Sequence, residues 1–391
     1  MASDEANFSP KSLSITLPPP DNQPVCQPVF HSVKYTMPSM EELRRLFRGE
    51  RQGYFYSRYS NPTVEQLEKT LAAWQGCEAG IAVASGVAAI ATVLLSQLSQ
   101  GAHIVYFIES YRPTRLFIES ILHRYGVSSS RISIHDHDAI RQAFCPETKL
   151  VIFESPTNPQ LKAAPIDLIT STAKKFGSLV VMDNTFAGFH NHHRDDIDLY
   201  LHSLTKYACG HSDALGGAIL GRKGLIALIR ETEILTGPSL DPQAAYLILR
   251  GLKTYRLRYE KACQTALEVA RWLETQDKVE QVFYPGLPSH PDYQRFLGQQ
   301  KDFGGVLMFN LKNKSCSIDK ILDHCQRFHV LASLGSVESL IAPVLYFYGG
   351  DLNPEERQRA CIDHTSLRLA IGLDEPEVLM SELKELLDRF A

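Results

Sequence analysis

Hydrophobic positions along this chain follow two patterns, which alternate over its first half. Short, nearly continuous apolar runs lie at residues 81–84, 103–108, 150–153, 179–183 and 198–206. Stretches with apolar residues at helical spacing begin near residues 62, 87, 111 and 167. The short runs predict buried strands, and the spaced stretches predict helices. Their alternation predicts an α/β fold with a large, doubly wound, mostly parallel sheet and right-handed crossovers.

Beyond Gly221 the pattern changes to short strands and helices that alternate less regularly. A helical pattern covers about 242–276 and is interrupted at Gly251. Strands are predicted at 279–283, 305–311, 329–333 and 367–371, and helices at 317–325 and 377–390. This arrangement predicts a smaller C-terminal α+β domain.

The first 50 residues are rich in proline and serine and include a proline run at 18–20. They predict an extended arm with one short helix near 40–47, of the kind that can embrace a neighbouring subunit. The predicted organisation is therefore an arm over 1–53, a large domain over 54–245 and a small domain over 246–391.

Composition supports a globular enzyme and excludes several other classes. The 391 residues are 44% hydrophobic and 21% charged, with a net charge of −4. Such a balance gives no indication of a nucleic-acid or anionic-membrane partner. No apolar run reaches the ~18 residues of a membrane span, and the N-terminus lacks the features of a signal peptide. Eight scattered cysteines without a Cys-x-x-Cys pair predict reduced thiols and a cytoplasmic location.

Two neighbouring predicted strands end in a carboxylate, Asp183, and in an amine, Lys206. In an open α/β sheet, ligands bind at this carboxyl edge. A buried lysine there is costly unless its charge is consumed. We therefore predict a Schiff base between Lys206 and pyridoxal phosphate, with Asp183 holding the ring nitrogen protonated. The alternative is that Asp183 caps a helix and Lys206 is a surface lysine.

Other polar residues are placed to bind the phosphate of such a cofactor. Ser203 and Thr205 lie just upstream of Lys206, where their hydroxyls could donate to it. The Ser85-Gly86 turn opens a predicted helix, whose first N–H groups could form a phosphate cradle. The His190–His193 segment, by contrast, lacks the spacing of a metal site, and we expect a solvated surface loop there.

Seven motifs, in this order, carry a resemblance to a known family. They are Tyr-Ser-Arg-x-x-Asn-Pro-Thr at 56–63, Ala-Ser-Gly-x-x-Ala-Ile at 84–90, Glu-Ser-Pro-Thr-Asn-Pro at 154–159, Asp-Asn-Thr-Phe at 183–186, His-Ser-x-Thr-Lys-Tyr-x-x-Gly-His-Ser-Asp at 202–213, Ser-Leu-Gly-x-x-Glu-Ser-Leu at 333–340 and Leu-Arg-Leu-x-x-Gly-Leu at 367–373. With them the chain resembles the pyridoxal-phosphate enzymes of Cys and Met metabolism, the trans-sulfuration family, from about residue 54 to 387. That family includes cystathionine γ-synthase, the cystathionine lyases and methionine γ-lyase.

The resemblance implies fold-type I, pyridoxal phosphate as cofactor and a homotetramer built from two catalytic dimers. It implies that Lys206 is the Schiff-base lysine and proton shuttle, and that Asp183 is the partner of the ring nitrogen. It also assigns phosphate contacts to Gly86, Val87, Ser203 and Thr205, and to Tyr56 and Arg58 from the neighbouring subunit. The remaining implied roles are ring stacking and acid/base catalysis for Tyr111, a cofactor-hydroxyl and substrate contact for Asn158, and clamping of the substrate carboxylate for Arg368 with Ser333.

Four departures from the family pattern concern the distal pocket. Arg112-Pro113 stands where Gly-Gly is common. A Pro at that site occurs in a bacterial cystathionine β-lyase branch, and Arg112 could approach a distal carboxylate. Phe55 stands where members that handle cystathionine often carry an acid. Ala332 stands where cystathionine γ-lyases tend to carry an acid and β-lyases an aromatic residue, and residues 344–350 replace a common Met-Thr-His segment.

These features predict a carbon–sulfur lyase that eliminates at the α,γ- or α,β-position of methionine, homocysteine, cysteine or cystathionine. Within the family the rival is a γ-replacement synthase, which joins cysteine to an activated homoserine. Outside enzymes the rival is a catalytically silent cofactor-binding protein. The intact Lys, Asp, Tyr and Arg set favours an enzyme.

Overall fold

The computed structural model describes residue 22 and residues 24–390, with Phe390 described by its backbone alone. The proline run of the predicted arm lies outside these residues. The chain up to residue 221 forms helices α1 (Met40–Phe47), α2 (Pro62–Gln75), α3 (Gly86–Gln97), α4 (Arg112–Ser120), α5 (His137–Gln142) and α6 (Ile166–Phe176). Its strands are β1 (Ala79–Val83), β2 (His103–Phe107), β3 (Ser128–Ile132), β4 (Thr148–Glu154), β5 (Leu179–Asp183), β6 (Leu199–Ser203) and β7 (Gly217–Gly221).

Helix boundaries follow local sequence signals. At the start of α2 the Asn61 side chain accepts the N–H of Thr63 at 2.9 Å, and Pro62 occupies the first position, where no donor is needed. The helix ends at Gly76, whose φ of 74° is the left-handed conformation that glycine adopts without strain. The short helix predicted near residues 40–47 is α1, with Ser39 as its cap.

The first seven strands form one sheet in the order β1-β7-β6-β5-β4-β2-β3. Only β7 runs antiparallel to the others, so the sheet is mostly parallel as predicted. β5 and β6 are parallel neighbours, which places the residues that follow them at the same edge. Strands β3 and β7 were not predicted, because Ser-Ser-Ser-Arg-Ile carries little apolar signal and β7 is rich in glycine and alanine.

Helices cover both faces of this sheet. One buried cluster joins α3 to the sheet through Val93 and Leu94, and the other joins α2 and α6 through Leu71 and Ile169. The strands are therefore buried on both sides, which explains their continuous apolar runs.

The rest of the chain adds two helices that pack beside the large sheet, and then a second sheet with its own helices. They are α7 (Lys223–Thr236), α8 (Pro242–Leu252), α9 (Tyr255–Glu274), β8 (Val279–Phe283), α10 (Tyr293–Gln299), β9 (Val306–Leu311), α11 (Ile318–Asp323), β10 (His329–Val330), β11 (Leu340–Pro343), α12 (Val344–Tyr348), α13 (Pro354–Arg359), β12 (Leu367–Ala370) and α14 (Pro376–Phe390). The strand order is β10-β11-β12-β9-β8, and only β10 and β11 are parallel.

The long helical pattern predicted at 242–276 is two helices, α8 and α9, and the break lies after Gly251. Gly251 is inside α8, where a β-carbon would come within 2.2 Å of the Cys209 carbonyl oxygen. The glycine therefore serves close packing against the chain after β6. Of the predicted strand 329–333, only two residues pair as β10. β11, α12 and α13 were not predicted.

The prediction of a solvated loop at the histidine cluster was wrong for His192, whereas His193 is exposed. His192 is 5% exposed, and its Nε2 lies 3.1 Å from the Ser155 carbonyl oxygen. His193 Nδ1 lies 2.8 Å from the carbonyl oxygen of Gln75. Burial lowers the pKa of His192 to about 4, so the ring is neutral at physiological pH. These rings satisfy backbone groups that the connection between β5 and β6 would otherwise bury unpaired.

No helix in the described part of the chain is both long and apolar enough to cross a membrane.

Candidate active site

A cavity of about 250 Å³ lies beyond the carboxyl ends of β4, β5 and β6. This is the edge at which the sequence predicts a ligand. Ten of the predicted site residues line it: Gly86, Val87, Tyr111, Asn158, Asp183, Ser203, Thr205, Lys206, Ser333 and Arg368. The first eight come from the large sheet and its loops, and the last two come from the second sheet. The cavity therefore lies where the two sheets meet.

Lys206 is held in the cavity by a single described hydrogen bond, from its Nζ to the hydroxyl of Ser333 at 2.8 Å. Burial, and to a lesser degree the charge of Arg368, lowers the lysine pKa to about 8. A substantial fraction of the amine is therefore neutral near physiological pH. A neutral amine is the form that attacks a carbonyl carbon.

Asp183 ends β5, and its half-buried carboxyl group lines the cavity. Its described hydrogen bonds come from Thr185 alone, from the N–H at 3.1 Å and from the hydroxyl at 2.6 Å. Burial raises the pKa of Asp183, partly offset by these two donors. Thr185 in turn accepts the N–H of Ser203 at 2.8 Å, which ties the ends of β5 and β6 together. The carboxyl group is thus rigidly held and can accept a proton-bearing partner.

The opposite part of the cavity is suited to an anion. α3 begins at Gly86, and its first N–H groups have no carbonyl acceptor within the helix. A β-carbon on Gly86 would lie 2.9 Å from the β-carbon of Ser203, so only glycine leaves the approach open. The hydroxyls of Ser203 and Thr205 border the same space. Backbone donors and hydroxyls together form a phosphate-type site.

Tyr111 stands at the start of α4, and its N–H donates to the carboxyl group of Glu154 at the end of β4. Burial raises the pKa of Tyr111, so its phenol keeps its proton at neutral pH. Burial and the neighbouring Asp183 raise the pKa of Glu154 well above its usual range. Glu154 therefore positions the tyrosine backbone, a role that the sequence motif did not reveal.

Arg368 lies on β12 and is 2% exposed. Its Nη1 donates to Asn158 Oδ1 at 3.0 Å and its Nη2 donates to the Ser333 carbonyl oxygen at 2.6 Å. Within the described part of the chain its Nε is buried without a hydrogen-bond partner. A buried donor without a partner is costly, and a carboxylate would satisfy it.

Two predicted site residues, Tyr56 and Arg58, do not line this cavity. Arg58 donates to the Ile234 carbonyl oxygen at 2.8 Å, and its guanidinium lies 4.9 Å from the ring centroid of Tyr59. Phe55 packs against Phe47 with a centroid distance of 5.2 Å. A single chain therefore leaves this segment outside its own site.

Sequence reasoning missed several lining residues. Thr185, Glu154 and Phe186 belong to motifs that the sequence analysis quoted but to which it assigned no role. Tyr348 lies in the segment that departs from the family pattern, and Ile90, Leu215 and Leu334 line the cavity as apolar wall. A family motif could have pointed to the first three. The departure at residues 344–350 connected that segment with the distal pocket, but it did not single out Tyr348.

The expectation that Arg112 could reach a distal carboxylate is not met within the chain. Its Nε pairs with Asp351 Oδ1 at 3.2 Å, and its side chain is 38% exposed. Arg112 does not line the cavity.

The residues present fit the predicted cofactor. The anion site at Gly86, the rigid carboxyl group of Asp183 and the amine of Lys206 line one cavity, and they match the phosphate, ring nitrogen and aldehyde of pyridoxal phosphate. Arg368 Nε remains as a donor for a substrate carboxylate.

Comparison with known proteins gives consistent matches over nearly the whole chain. A sequence profile of the family described as Cys/Met metabolism PLP-dependent enzyme matches residues 16–388. L-methionine γ-lyase of Pseudomonas putida is 34% identical over 364 residues, covering 92% of each chain. The chloroplastic cystathionine γ-synthase 1 of Nicotiana tabacum is 35% identical over 368 residues, covering 93% of this chain and 68% of that protein.

Among solved structures, a Campylobacter jejuni protein described as an O-acetylhomoserine (thiol)-lyase superposes with a TM-score of 0.88 at 31% identity. The superposition covers 93% of this chain and 95% of that chain. That protein carries a pyridoxyl-lysine phosphate.

Proposed function

Because the chain belongs to the PLP-dependent enzymes of Cys/Met metabolism, we propose that it cleaves the carbon–sulfur bond of a sulfur-containing amino acid. Membership of this family confirms the predicted family, the predicted fold-type I class and pyridoxal phosphate as the cofactor. The roles of individual residues and the choice of substrate are our proposal.

This proposal rests on the hydrogen bonds that Lys206 and Arg368 both donate to Ser333. The amine donates to the serine hydroxyl at 2.8 Å, and the guanidinium donates to the carbonyl oxygen of the same residue at 2.6 Å. An α-amino acid carries its amino group and its carboxylate on one carbon. The two cations therefore stand where they could address both groups of such a substrate.

Bound pyridoxal phosphate would supply an aldehyde for the amino group and a ring that withdraws electrons from the α-carbon. Gly86, Val87, Ser203 and Thr205 would bind its phosphate. Asp183, held by Thr185, would keep the ring nitrogen protonated. Tyr111 and Asn158 would contact the ring face and the ring hydroxyl.

Lys206 would remove the α-proton and return it, because its lowered pKa of about 8 keeps the amine close to the pH at which it must act as a base. Tyr111 would donate a proton to the departing sulfur, since its raised pKa keeps the phenol protonated. Arg368 would orient the substrate by its carboxylate. Ser333, Asn158 and the neighbouring backbone hold that guanidinium in place.

The wall of the cavity favours a substrate with an uncharged side chain. Among the described lining residues the only carboxyl groups are Asp183 and Glu154, both at strand ends. Ala332, Leu215 and Leu334 form apolar wall instead. A second ammonium, as in cystathionine, would find no carboxylate partner in this wall, and an unpaired buried charge costs several kcal/mol. Methionine, homocysteine and cysteine therefore fit the site better.

A γ-replacement synthase is the second candidate. The synthase of Nicotiana tabacum is as similar to this chain as the lyase of Pseudomonas putida, at 35% and 34% identity. The two reactions share their early steps and differ in the group that leaves or enters, which the distal wall decides.

The test is a panel of methionine, homocysteine, cysteine and cystathionine, each given alone to the purified holoenzyme and scored for keto acid and thiol. We expect both products, with kcat/KM for the first three at least equal to that for cystathionine. A cystathionine value about tenfold above the others, ~1.4 kcal/mol of transition-state preference, would contradict the wall argument. Products that require activated homoserine plus cysteine would establish the synthase, and cofactor binding without any turnover would establish a silent binding protein.

We also propose the assembly and location that the family resemblance implies: a homotetramer of two catalytic dimers in the cytoplasm, without nucleic-acid or membrane partners. Support comes from Tyr56 and Arg58, which lie outside the cavity of their own chain, and from the apolar Leu215, which is 64% exposed beside that cavity. We likewise propose an arm over 1–53, a cofactor-binding domain over 54–245 and a small domain over 246–391. The second of these contains the large sheet and the third contains the second sheet, while the described residues of the arm belong to neither.

A further inference from the structure

Tyr348 covers the proposed carboxylate-binding arginine. The guanidinium carbon of Arg368 lies 4.3 Å from the centroid of the Tyr348 ring, and both residues line the cavity. The tyrosine is 6% exposed, so water is largely excluded from the stack. Stacking on an aromatic ring stabilises a guanidinium most when both groups are desolvated.

This stack leaves a defined edge of Arg368 available. Nη1 is used by Asn158 and Nη2 by the Ser333 carbonyl oxygen, while the buried Nε has no partner among the described residues. A ring against one face limits rotation of the guanidinium plane. The free Nε is therefore kept in one orientation before a ligand arrives, which reduces the entropy lost on binding.

Tyr348 is itself held by a residue that is far away in the sequence. Arg115, on α4, is 1% exposed, and its Nη2 donates to the Tyr348 carbonyl oxygen at 3.0 Å. Asp351 accepts from the same guanidinium twice, from Nε at 2.8 Å and from Nη2 at 2.8 Å. Such a bidentate buried pair fixes both backbones. It anchors the end of α12 to the start of α4.

The same guanidinium also fixes the segment that carries Tyr111. Its Nη1 donates to the Ser110 carbonyl oxygen and, at 3.0 Å, to the Ile108 carbonyl oxygen. One buried arginine thus connects the tyrosine at the start of α4 with the tyrosine that covers Arg368.

We propose that Tyr348, anchored by the Arg115–Asp351 pair, is a positioning residue for the α-carboxylate of the amino-acid substrate and acts by holding the Arg368 guanidinium. The inference rests on the proposed function, because it assumes an amino-acid ligand at Arg368. It assigns a purpose to the segment 344–350, which departs from the family pattern.

The test compares two ligands of the holoenzyme that differ only in the carboxylate, L-alanine and ethylamine. Dissociation constants are measured by titration of the cofactor absorbance for wild type, Tyr348→Leu and Tyr348→Phe. We expect Tyr348→Leu to weaken L-alanine about tenfold and to leave ethylamine within about a factor of two, while Tyr348→Phe keeps the stack and near-normal affinity. Asp351→Asn should show the same selective loss in weaker form, because Arg115 keeps a neutral partner.

Arg131→Ala is the matched control. Arg131 also joins the large sheet to this C-terminal segment, through Glu356 at 2.6 Å, but it does not contact Tyr348 or Arg368. Its removal should leave both ligands unaffected. If Tyr348→Leu fails to fold, Tyr348→Met serves in its place, since methionine fills similar space without a stacking ring.

Equal weakening of L-alanine and ethylamine, or no weakening of either, would show that Tyr348 only fills space. Arg368→Met, which removes the cation, separates this outcome from a failure of the proposed function. If Arg368→Met impairs L-alanine binding and Tyr348→Leu does not, the inference alone is wrong. If Arg368→Met binds L-alanine as well as wild type does, the proposed carboxylate site itself is wrong.

Discussion

The two ends of the cavity are built in different ways. At the cofactor end, which we define as Gly86, Asp183, Ser203 and Lys206, each group follows a strand of the large sheet or opens a helix beside it. Its carboxyl group is supported from close by in sequence, by the bond from Thr185 to Asp183 two residues away, and only the amine of Lys206 reaches a distant partner, Ser333. At the substrate end, defined as Ser333, Tyr348 and Arg368, the supports span the chain, as between Arg115 and Asp351, 236 residues apart.

This difference separates what the family shares from what this chain has changed. The cofactor end depends on strand-end geometry, which any doubly wound sheet supplies, so a few short motifs specify it. The substrate end depends on irregular segments packed between the two sheets. Such segments can be rebuilt without disturbing the cofactor end, and the segment 344–350 is the clearest example.

The largest effect should come from the cofactor end. Lys206→Ala removes the amine that would hold the cofactor covalently and move the α-proton, so we expect turnover to fall by about 10⁴-fold or more and the visible absorption of the lysine-bound cofactor to disappear. Reduction with borohydride followed by mass spectrometry checks the attachment. A reducible cofactor adduct that persists on the variant would show that another residue carries the cofactor.

The second prediction tests whether the cofactor end is complete within one chain. Arg58 lies outside the cavity of its own chain, so Arg58→Ala should inactivate the site of a neighbouring subunit. Mixing Arg58→Ala with Lys206→Ala subunits should restore about a quarter of wild-type activity, because half of the dimers are hybrids with one intact site each. Absence of recovery, with subunit exchange proven by mass spectrometry, would mean that each chain supplies its whole site.

The third prediction compares two arginines at the substrate end that share one carboxylate. Arg115 is buried and pairs bidentately with Asp351, whereas Arg112 reaches the same group with a side chain that is 38% exposed. Arg115→Ala should lower the free energy of unfolding by about 3 kcal/mol, because Asp351 loses its buried bidentate partner and three carbonyl oxygens lose their donor. Arg112→Ala should lower it by about 1 kcal/mol or less. Denaturant unfolding of both variants measures the difference, and similar losses would remove the distinction between them.

The sequence predicts the cofactor end better than the substrate end. The run Leu-Val-Val-Met-Asp predicted β5 and its terminal carboxylate, because a short continuous apolar run has few interpretations other than a buried strand. β3 and β7 were not predicted, because their composition carries little apolar signal. Eight of the ten predicted site residues in the cavity could be placed there because they end or follow strands of the large sheet. Tyr348 could not be found, because its place over Arg368 depends on Arg115, far away in sequence.

The histidine cluster shows why polar residues mislead. A run of three histidines in four residues has the composition of an exposed loop, and the prediction followed that composition. The rings of His192 and His193 instead donate to the carbonyl oxygens of Ser155 and Gln75, which a sequence pattern does not record. The need of such buried carbonyl groups for a donor explains why His192 is buried, although His193 stays exposed.

The smallest expected effect is that of the charge of Arg368, at the substrate end, on the pKa of Lys206, at the cofactor end. Burial lowers the pKa of Lys206 to about 8, and the positive charge of Arg368 contributes to the shift. The amine is an ammonium below this pH and neutral above it, and only the neutral form attacks an aldehyde. The rate at which the apoprotein captures pyridoxal phosphate should therefore rise with pH through about 8 and level off above it.

Arg368→Met removes a repelling charge, which raises the lysine pKa, so its profile should move to higher pH. Stopped-flow absorbance across a pH series measures both curves, with Arg131→Ala as a control of unchanged midpoint. A profile that stays in place for Arg368→Met would show that the two ends of the cavity are electrostatically independent and that burial alone sets the reactivity of Lys206. A profile that moves to lower pH would contradict the expected sign of the effect.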